Sequence, residues 1–192
     1  MDGLLIDWGG VLTTSMLGSF DAFARREGVD VRAAFKNDPT ALIELETGRI
    51  DIPTFERRLA RALGVDPTDL ARRLTREVRP DGVMLDAVKR FHDAGVATAL
   101  VSNSWREDDY DLDDRFDLVV LSGRLGIRKP DPRIYAHAVE QLGVSAEECV
   151  FVDDLGGNLK PARALGMTTI RHLDALSTIA QLKRLLWPSD PS

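Results

Sequence analysis

The stretch LLIDWGGVL, residues 4–12, decides the fold: an apolar run ends in a single acid, Asp7, and breaks at once into two glycines, Gly9 and Gly10. An apolar run without alternation fits a strand buried on both faces of a parallel sheet. The chain repeats the signal at VATALVSN (96–103), LVVLS (118–122), CVFVDD (149–154) and MTTIR (167–171). Between these runs lie amphipathic stretches, LDAVKRFHDAG (85–95), PRIYAHAVEQLG (132–143) and NLKPARALG (158–166), each closed by a glycine suited to a helix C-terminus. Strand and helix therefore alternate, which predicts an α/β fold with a doubly wound, Rossmann-like, mainly parallel sheet.

Residues 15–81 break this rhythm. They offer helix patterns such as FDAFARREG (20–28), PTALIELETG (39–48) and IPTFERRLARALG (52–64), with no convincing strand. The prediction is a small helical subdomain, 15–81, inserted into a core made of 1–14 and 82–192. Both crossings, near Thr13 to Gly18 and Arg79 to Gly82, carry the Gly, Pro or small polar residues expected of hinges.

With 192 residues, 44% of them hydrophobic, the chain has enough apolar surface for one core plus a small insertion. Its formal charge of −6, with Lys and Arg scattered among acids, offers no basic face to a nucleic-acid backbone. Cys149 is the only cysteine, so no intrachain disulfide forms and a reducing compartment suits the chain. Met1 leads almost directly into the first strand, leaving no room for a cleavable signal, and no apolar run approaches the roughly 18 residues of a membrane span. The expectation is a soluble, cytoplasmic protein with neither membrane nor nucleic-acid partner; its oligomeric state is left open.

In an open parallel sheet, ligands bind outside the carboxyl ends of the strands. Those ends carry Asp7, then Ser102 and Asn103, then Asp153 and Asp154, while Lys129 follows the third run in GRLGIRKPDP (123–132). Each residue alone also suits a turn or a helix cap. Together they point to one polar rim. Clustered carboxylates repel, so a cation should hold them: Lys129 offsets part of the charge, and Mg²⁺, which accepts carboxylates together with phosphate oxygens, offsets more. With no His or Cys nearby, zinc is disfavoured. Such a set suits phosphoryl transfer, where positioning and charge neutralisation supply most of the catalysis.

Four motifs in this order, LLIDWGGVL, ALVSNSW (99–105), GIRKPDPRIY (126–135) and VFVDDLGGNLKPARALGM (150–167), resemble those of the haloacid dehalogenase (HAD) superfamily. The insertion falls where members with a helical cap carry it. The last motif and SNSW are similar to the N-terminal phosphatase domain of soluble epoxide hydrolases. The resemblance implies that Asp7 is a nucleophile forming an aspartyl phosphate and that Lys129 neutralises it. By the same resemblance, Ser102 binds a phosphate oxygen with Asn103 beside it, and the turn of Trp8, Gly9 and Gly10 wraps the phosphate. Asp7, Asp154 and the backbone of Gly9 would hold Mg²⁺, Asp153 would orient Lys129 or assist the metal, and Asn158 would support the loop. The implied function is an Mg²⁺-dependent phosphatase of a small phosphorylated metabolite.

One departure stands out. Phosphatases of the superfamily usually carry a second Asp two positions after the nucleophile, as general acid and base, and here that position is Gly9. A catalytically weak phospho-ligand binding or regulatory protein is therefore an alternative, and so is a 2-haloacid dehalogenase, although the paired Asp153 and Asp154 argue against halide displacement. The ring of Trp8 is expected to pack on the core or cap.

Other candidates have plainer readings. Asp108, Asp109, Asp111, Asp113 and Asp114 form a solvated acidic run. His92, His137 and His172 lack metal-ligand spacing, Cys149 opens a buried strand, and Trp105 suits core or pocket wall. In the insertion, Phe20, Phe23, Arg25, Glu46 and Arg49 are candidate substrate contacts without rank.

Overall fold

A computed structural model of the chain describes residues 1–104 and 114–187. Trp105, Asp108, Asp109, Asp111 and Asp113 lie outside the described residues. Five strands form one sheet: β1 (Gly3–Ile6), β2 (Ala97–Ser102), β3 (Leu118–Leu121), β4 (Cys149–Asp153) and β5 (Thr168–Arg171). All pairings are parallel and the order is β3-β2-β1-β4-β5. The chain thus builds outward from β1 on one side, then crosses to the other. The crevice at such a switch point is where open α/β sheets bind ligands, and Asp7 lies there, its backbone N–H extending the ladder to Val152 O at 3.0 Å.

Both faces of the sheet are covered, which is why the strands read as continuous apolar runs. Leu4 and Ile6 of β1 face a cluster with Met84, Val88 and Phe91 of α6 (Gly82–Asp93) and Leu182 and Leu186 of α10 (Ala175–Leu186). Leu5 faces the opposite cluster, with Ile134, Tyr135 and Ala138 of α8 (Pro132–Leu142) and Leu159 and Ala162 of α9 (Gly156–Ala164). Each such leucine or phenylalanine contributes about 1.5–3 kcal/mol through burial. The helices begin where the sequence caps them: Asp81 accepts the N–H groups of Val83 and Met84, and Asp131 accepts that of Arg133, beside Pro132 in the first turn of α8.

Between β1 and α6 the chain forms α1 (Met16–Glu27), α2 (Val31–Asn37), α3 (Pro39–Glu46), α4 (Ile52–Leu63) and α5 (Leu70–Leu74). These helices bury a cluster of their own, built on Phe20, Phe23, Leu45, Phe55, Leu59 and Leu70. The two crossings run side by side: Thr13 bridges Pro80 in antiparallel fashion, Thr14 N–H donates to Arg79 O at 2.8 Å, and Asp81 N–H to Leu12 O at 2.8 Å. A second seam joins α3 to α7 (Ser122–Leu125), where the Ser122 hydroxyl donates to the backbone oxygen of Glu46. At that seam a Cβ on Gly48, whose φ is +68°, would lie 2.7 Å from Gly123 O. Only glycine permits so close an approach.

No helix among the described residues is long and apolar enough to cross a membrane.

Candidate active site

The rim at the strand ends is organised around Lys129. Its Nζ lies 2.7 Å from Asp7 Oδ1 and 2.8 Å from Asp153 Oδ2, and the side chain is 1% exposed. Burying an ammonium is tolerable only with such pairing; the Phe151 ring, its centroid 5.5 Å from Nζ, adds a favourable face. Although burial pulls the lysine pKa down, the charges of Asp7 and Asp153 outweigh it and hold the group protonated.

Asp153 is fully engaged. Oδ1 accepts the N–H of Leu155 at 2.8 Å and Nδ2 of Asn158 at 3.0 Å, while Oδ2 accepts Lys129 Nζ and, at 3.0 Å, the same amide. Asn158 is one turn into α9, and its backbone oxygen in turn accepts the Tyr135 hydroxyl at 2.7 Å. Asn103 reaches Lys129 from the other side, through hydrogen bonds to the lysine's backbone. Ser102, the last residue of β2, lines the cavity described below.

After Asp7 the chain turns tightly. Trp8 N–H donates to Asp7 Oδ1 at 2.7 Å, and Trp8 O accepts the N–H groups of Val11, Leu12 and Thr13. The Trp8 ring packs against the first core cluster. Gly10 has φ +80°, and a Cβ there would lie 2.5 Å from Asp154 Oδ2. Gly9 is different: a Cβ would meet only Met16 Cε, at 4.0 Å.

Asp7, Asp153 and Asp154 offer carboxylate oxygens that all lie within 4.8 Å of one another. Three carboxylates against one ammonium leave an excess of negative charge. Burial, with the charge of Asp153 behind it and Lys129 opposing, pushes Asp7 up to about 7 and raises Asp154 above the usual carboxylate range. Hard oxygen donors with uncompensated charge fit a divalent cation such as Mg²⁺. Because both oxygens of Asp153 already carry two donors each, the free donor capacity rests on Asp7 and Asp154.

A cavity of about 650 Å³ covers this rim. Asp7, Gly9, Ser102, Lys129 and Asp154 form its floor, and Met16, Leu17, Phe20, Leu42 and Ala71 of the helical insertion form its wall. Glu46, 7% exposed, lines it too, with Oε2 2.6 Å from Nε of Arg128. Burial pushes the Glu46 carboxyl up to about 7 against the attraction of Arg128. Phe20 and Glu46 thus line the cavity, and Phe23 is buried in the insertion's own cluster. Sequence reasoning passed over Arg128 and also Arg72, Arg76 and Arg79, which line the cavity as well. Arg128 carried a usable signal, its place next to Lys129 in GIRKPDP; the other three carried none.

The remaining candidates have structural surroundings. His92 Nδ1 lies 3.1 Å from Thr98 Oγ1 and His172 Nδ1 lies 3.0 Å from Thr178 Oγ1. Cys149 is buried at the start of β4, and burial pushes its thiol up to about 11.

The chain is 35% identical over 112 residues to bifunctional epoxide hydrolase 2 of Rattus norvegicus, a match spanning 53% of this chain and 20% of that protein's own length. It is 29% identical over 197 residues to the sesquiterpene phosphatase astK of Aspergillus oryzae, covering 95% of both chains. The fold is shared with the HAD family enzyme bt-2542 of Bacteroides thetaiotaomicron, solved with magnesium and inorganic phosphate: TM-score 0.71, 22% identity, 90% of this chain and 94% of that one. The family model for haloacid dehalogenase-like hydrolases matches residues 1–166, which hold four of the five strands and helices α1–α9. By that match, and by the motifs at its strand ends, the chain belongs to the haloacid dehalogenase-like hydrolase family.

Proposed function

We propose that the chain is an Mg²⁺-dependent phosphatase that cleaves a small phosphorylated metabolite through an aspartyl phosphate on Asp7. The observation that carries this reading is the buried Lys129 ammonium, 2.7 Å from Asp7 Oδ1, on the floor of a cavity that also exposes Ser102 and Asp154. A sesquiterpene phosphatase similar over nearly the full length supports it, as does a fold neighbour complexed with magnesium and inorganic phosphate.

A carboxylate oxygen of Asp7 attacks phosphorus and the ester P–O bond breaks, the alcohol leaving with a proton taken from water. Water then attacks the aspartyl phosphate; the bond between phosphorus and the Asp7 oxygen breaks, releasing inorganic phosphate and restoring the carboxylate. Lys129 neutralises charge on the transferring group, and Asp153 and Asn103 hold it in place. Ser102 donates to a phosphate oxygen, and the turn at Trp8, Gly9 and Gly10 brings backbone N–H groups near the same group. Asp7, Asp154 and the backbone carbonyl of Gly9 would hold Mg²⁺, which when bound supplies positive charge to the phosphate oxygens. Asn158 steadies Asp153. Helices α1–α5 act as the cap, closing the cavity and excluding water.

Hydrolysis of phosphate esters by the wild type and by Asp7→Asn, each with and without Mg²⁺, tests the reading. Release of phosphate that needs both Asp7 and the metal supports it. Turnover undiminished in Asp7→Asn ends it, and phosphate-ester binding with no turnover by the wild type would favour a regulatory protein, the reading that Gly9 keeps open.

A further inference from the structure

Three arginines in the cavity lining, from α5 and the crossing that follows it, are left unused by the chemistry at the floor. Arg72 of α5 and Arg76 and Arg79 in the segment after it all line the cavity and all are exposed. The carboxylates that share the cavity are committed elsewhere: Asp7 to Lys129, Glu46 to Arg128, and Asp154 to the strand-end cluster. Glu77, between the arginines in sequence, pairs with Arg26 at 3.5 Å. Arg79 spends Nη1 on the backbone oxygens of Arg76 and Val78. Among the described residues, neither Arg72 nor Arg76 forms an ion pair.

The chain carries a formal charge of −6, and Arg58, Arg73 and Arg133 are each paired with an acid. Met16, Leu17, Phe20 and Leu42 line the same cavity. Leu17 is 57% exposed, an apolar side chain left uncovered in the wall. The cavity therefore combines the cation at its floor with further cationic groups and apolar side chains in its lining. A leaving group without charge of its own would leave those further cations unused.

Resting on the phosphatase reading, we propose that the substrate is a phosphate ester whose leaving group carries a second anionic group, carboxylate or phosphate, joined through an apolar segment and bound by Arg72, Arg76 and Arg79. The guanidinium fork suits both anions.

The test is a matched series of short alkyl phosphates ending in methyl, carboxylate, phosphate or ammonium, with kcat/KM measured on the wild type, on Arg72→Gln/Arg76→Gln and on Arg72→Lys/Arg76→Lys. Exposed ion pairs are individually weak, so several acting together give the anionic esters an advantage of about tenfold over the methyl ester at low salt. That advantage lies in KM and shrinks as salt is added. It falls toward one in the glutamine variant and survives largely in the lysine variant. Comparison of the carboxylate and phosphate arms identifies the anion. Equal rates for the methyl and anionic esters, a preference for ammonium, or an advantage untouched in the glutamine variant would each overturn the proposal. Calorimetric binding of the same series to Asp7→Asn needs no turnover, so anion selectivity there with no hydrolysis anywhere would reject the phosphatase reading alone.

Discussion

Asn103 closes a two-point clamp on the backbone of Lys129: its Nδ2 donates to Lys129 O at 3.0 Å, and its Oδ1 accepts Lys129 N–H at 2.8 Å. The pairing imitates a strand ladder at the place where β2 has ended and the loop carrying the lysine passes by. It fixes the start of the side chain whose far end sits between Asp7 and Asp153. An amide at the end of β2 thus positions a cation on another loop.

Asn103→Ala should therefore lower kcat more than it lowers stability. It leaves a buried donor and acceptor unpaired, costing about 1–3 kcal/mol, and misplacement of the ammonium by a fraction of an ångström adds a loss of about 10- to 100-fold in kcat. Steady-state kinetics alongside thermal melts check this. A variant that melts lower but turns over at the wild-type rate would show that the clamp serves only the loop.

Lys129→Met tests the electrostatics of the rim. Removing the shared cation leaves Asp7 and Asp153 facing each other in a buried place, where breaking such a pair costs about 3–5 kcal/mol. Adding Asp153→Asn to Lys129→Met should restore part of the lost stability, because one of the orphaned charges goes with it. Chemical denaturation of the two single variants and the double variant gives the coupling directly. Additive effects would mean that the two groups do not share their charge.

The two glycines after Asp7 should respond oppositely to substitution. At Gly10 the positive φ and the contact at 2.5 Å with Asp154 Oδ2 leave no space for a methyl group, so Gly10→Ala should displace that carboxylate. If Asp154 helps hold Mg²⁺ as proposed, the ion should raise the melting temperature of the wild type and not that of Gly10→Ala. Gly9 has room, since a Cβ there would meet only Met16 Cε. Gly9→Asp should raise the rate on esters with poor leaving groups more than on good ones, within the roughly 10²- to 10⁴-fold that a general acid contributes. A uniform fall across leaving groups would show that protonation of the alcohol is not limiting.

Much of this is legible in the sequence alone. Strands buried on both faces must be apolar throughout, so LLID and CVFVDD declare themselves, and the polar residues that end them have one edge of the sheet to occupy. Two short helices, α2 and α5, have seven and five residues, too few turns for the helical period to show. The pairing of Asn103 with a backbone has no sequence signature, since an amide bonds peptide groups anywhere it finds them. Glu46 stands among equals in the sequence; only folding brings it against Arg128, more than eighty positions away. The rim arginines depend on how the insertion sits over the sheet, which periodicity does not encode.

Glu46 also yields a prediction about pH. Its carboxyl, ordinarily near 4.5, is pushed up to about 7 in the folded chain by burial, with Arg128 and then Lys129 opposing the shift. A group whose pKa rises on folding binds its proton more tightly in the folded state, so its stabilising contribution is complete below about 4.5 and is lost as pH climbs through about 7. Glu46→Gln keeps the shape of the protonated group and cannot ionise. The melting temperature of Glu46→Gln minus that of the wild type should therefore rise as pH climbs from about 4.5 to about 7, most steeply between those two values, and level off above. A difference that stays flat over that range would mean that Arg128 holds Glu46 ionised throughout and that the pair is a structural tie between α3 and the lysine loop.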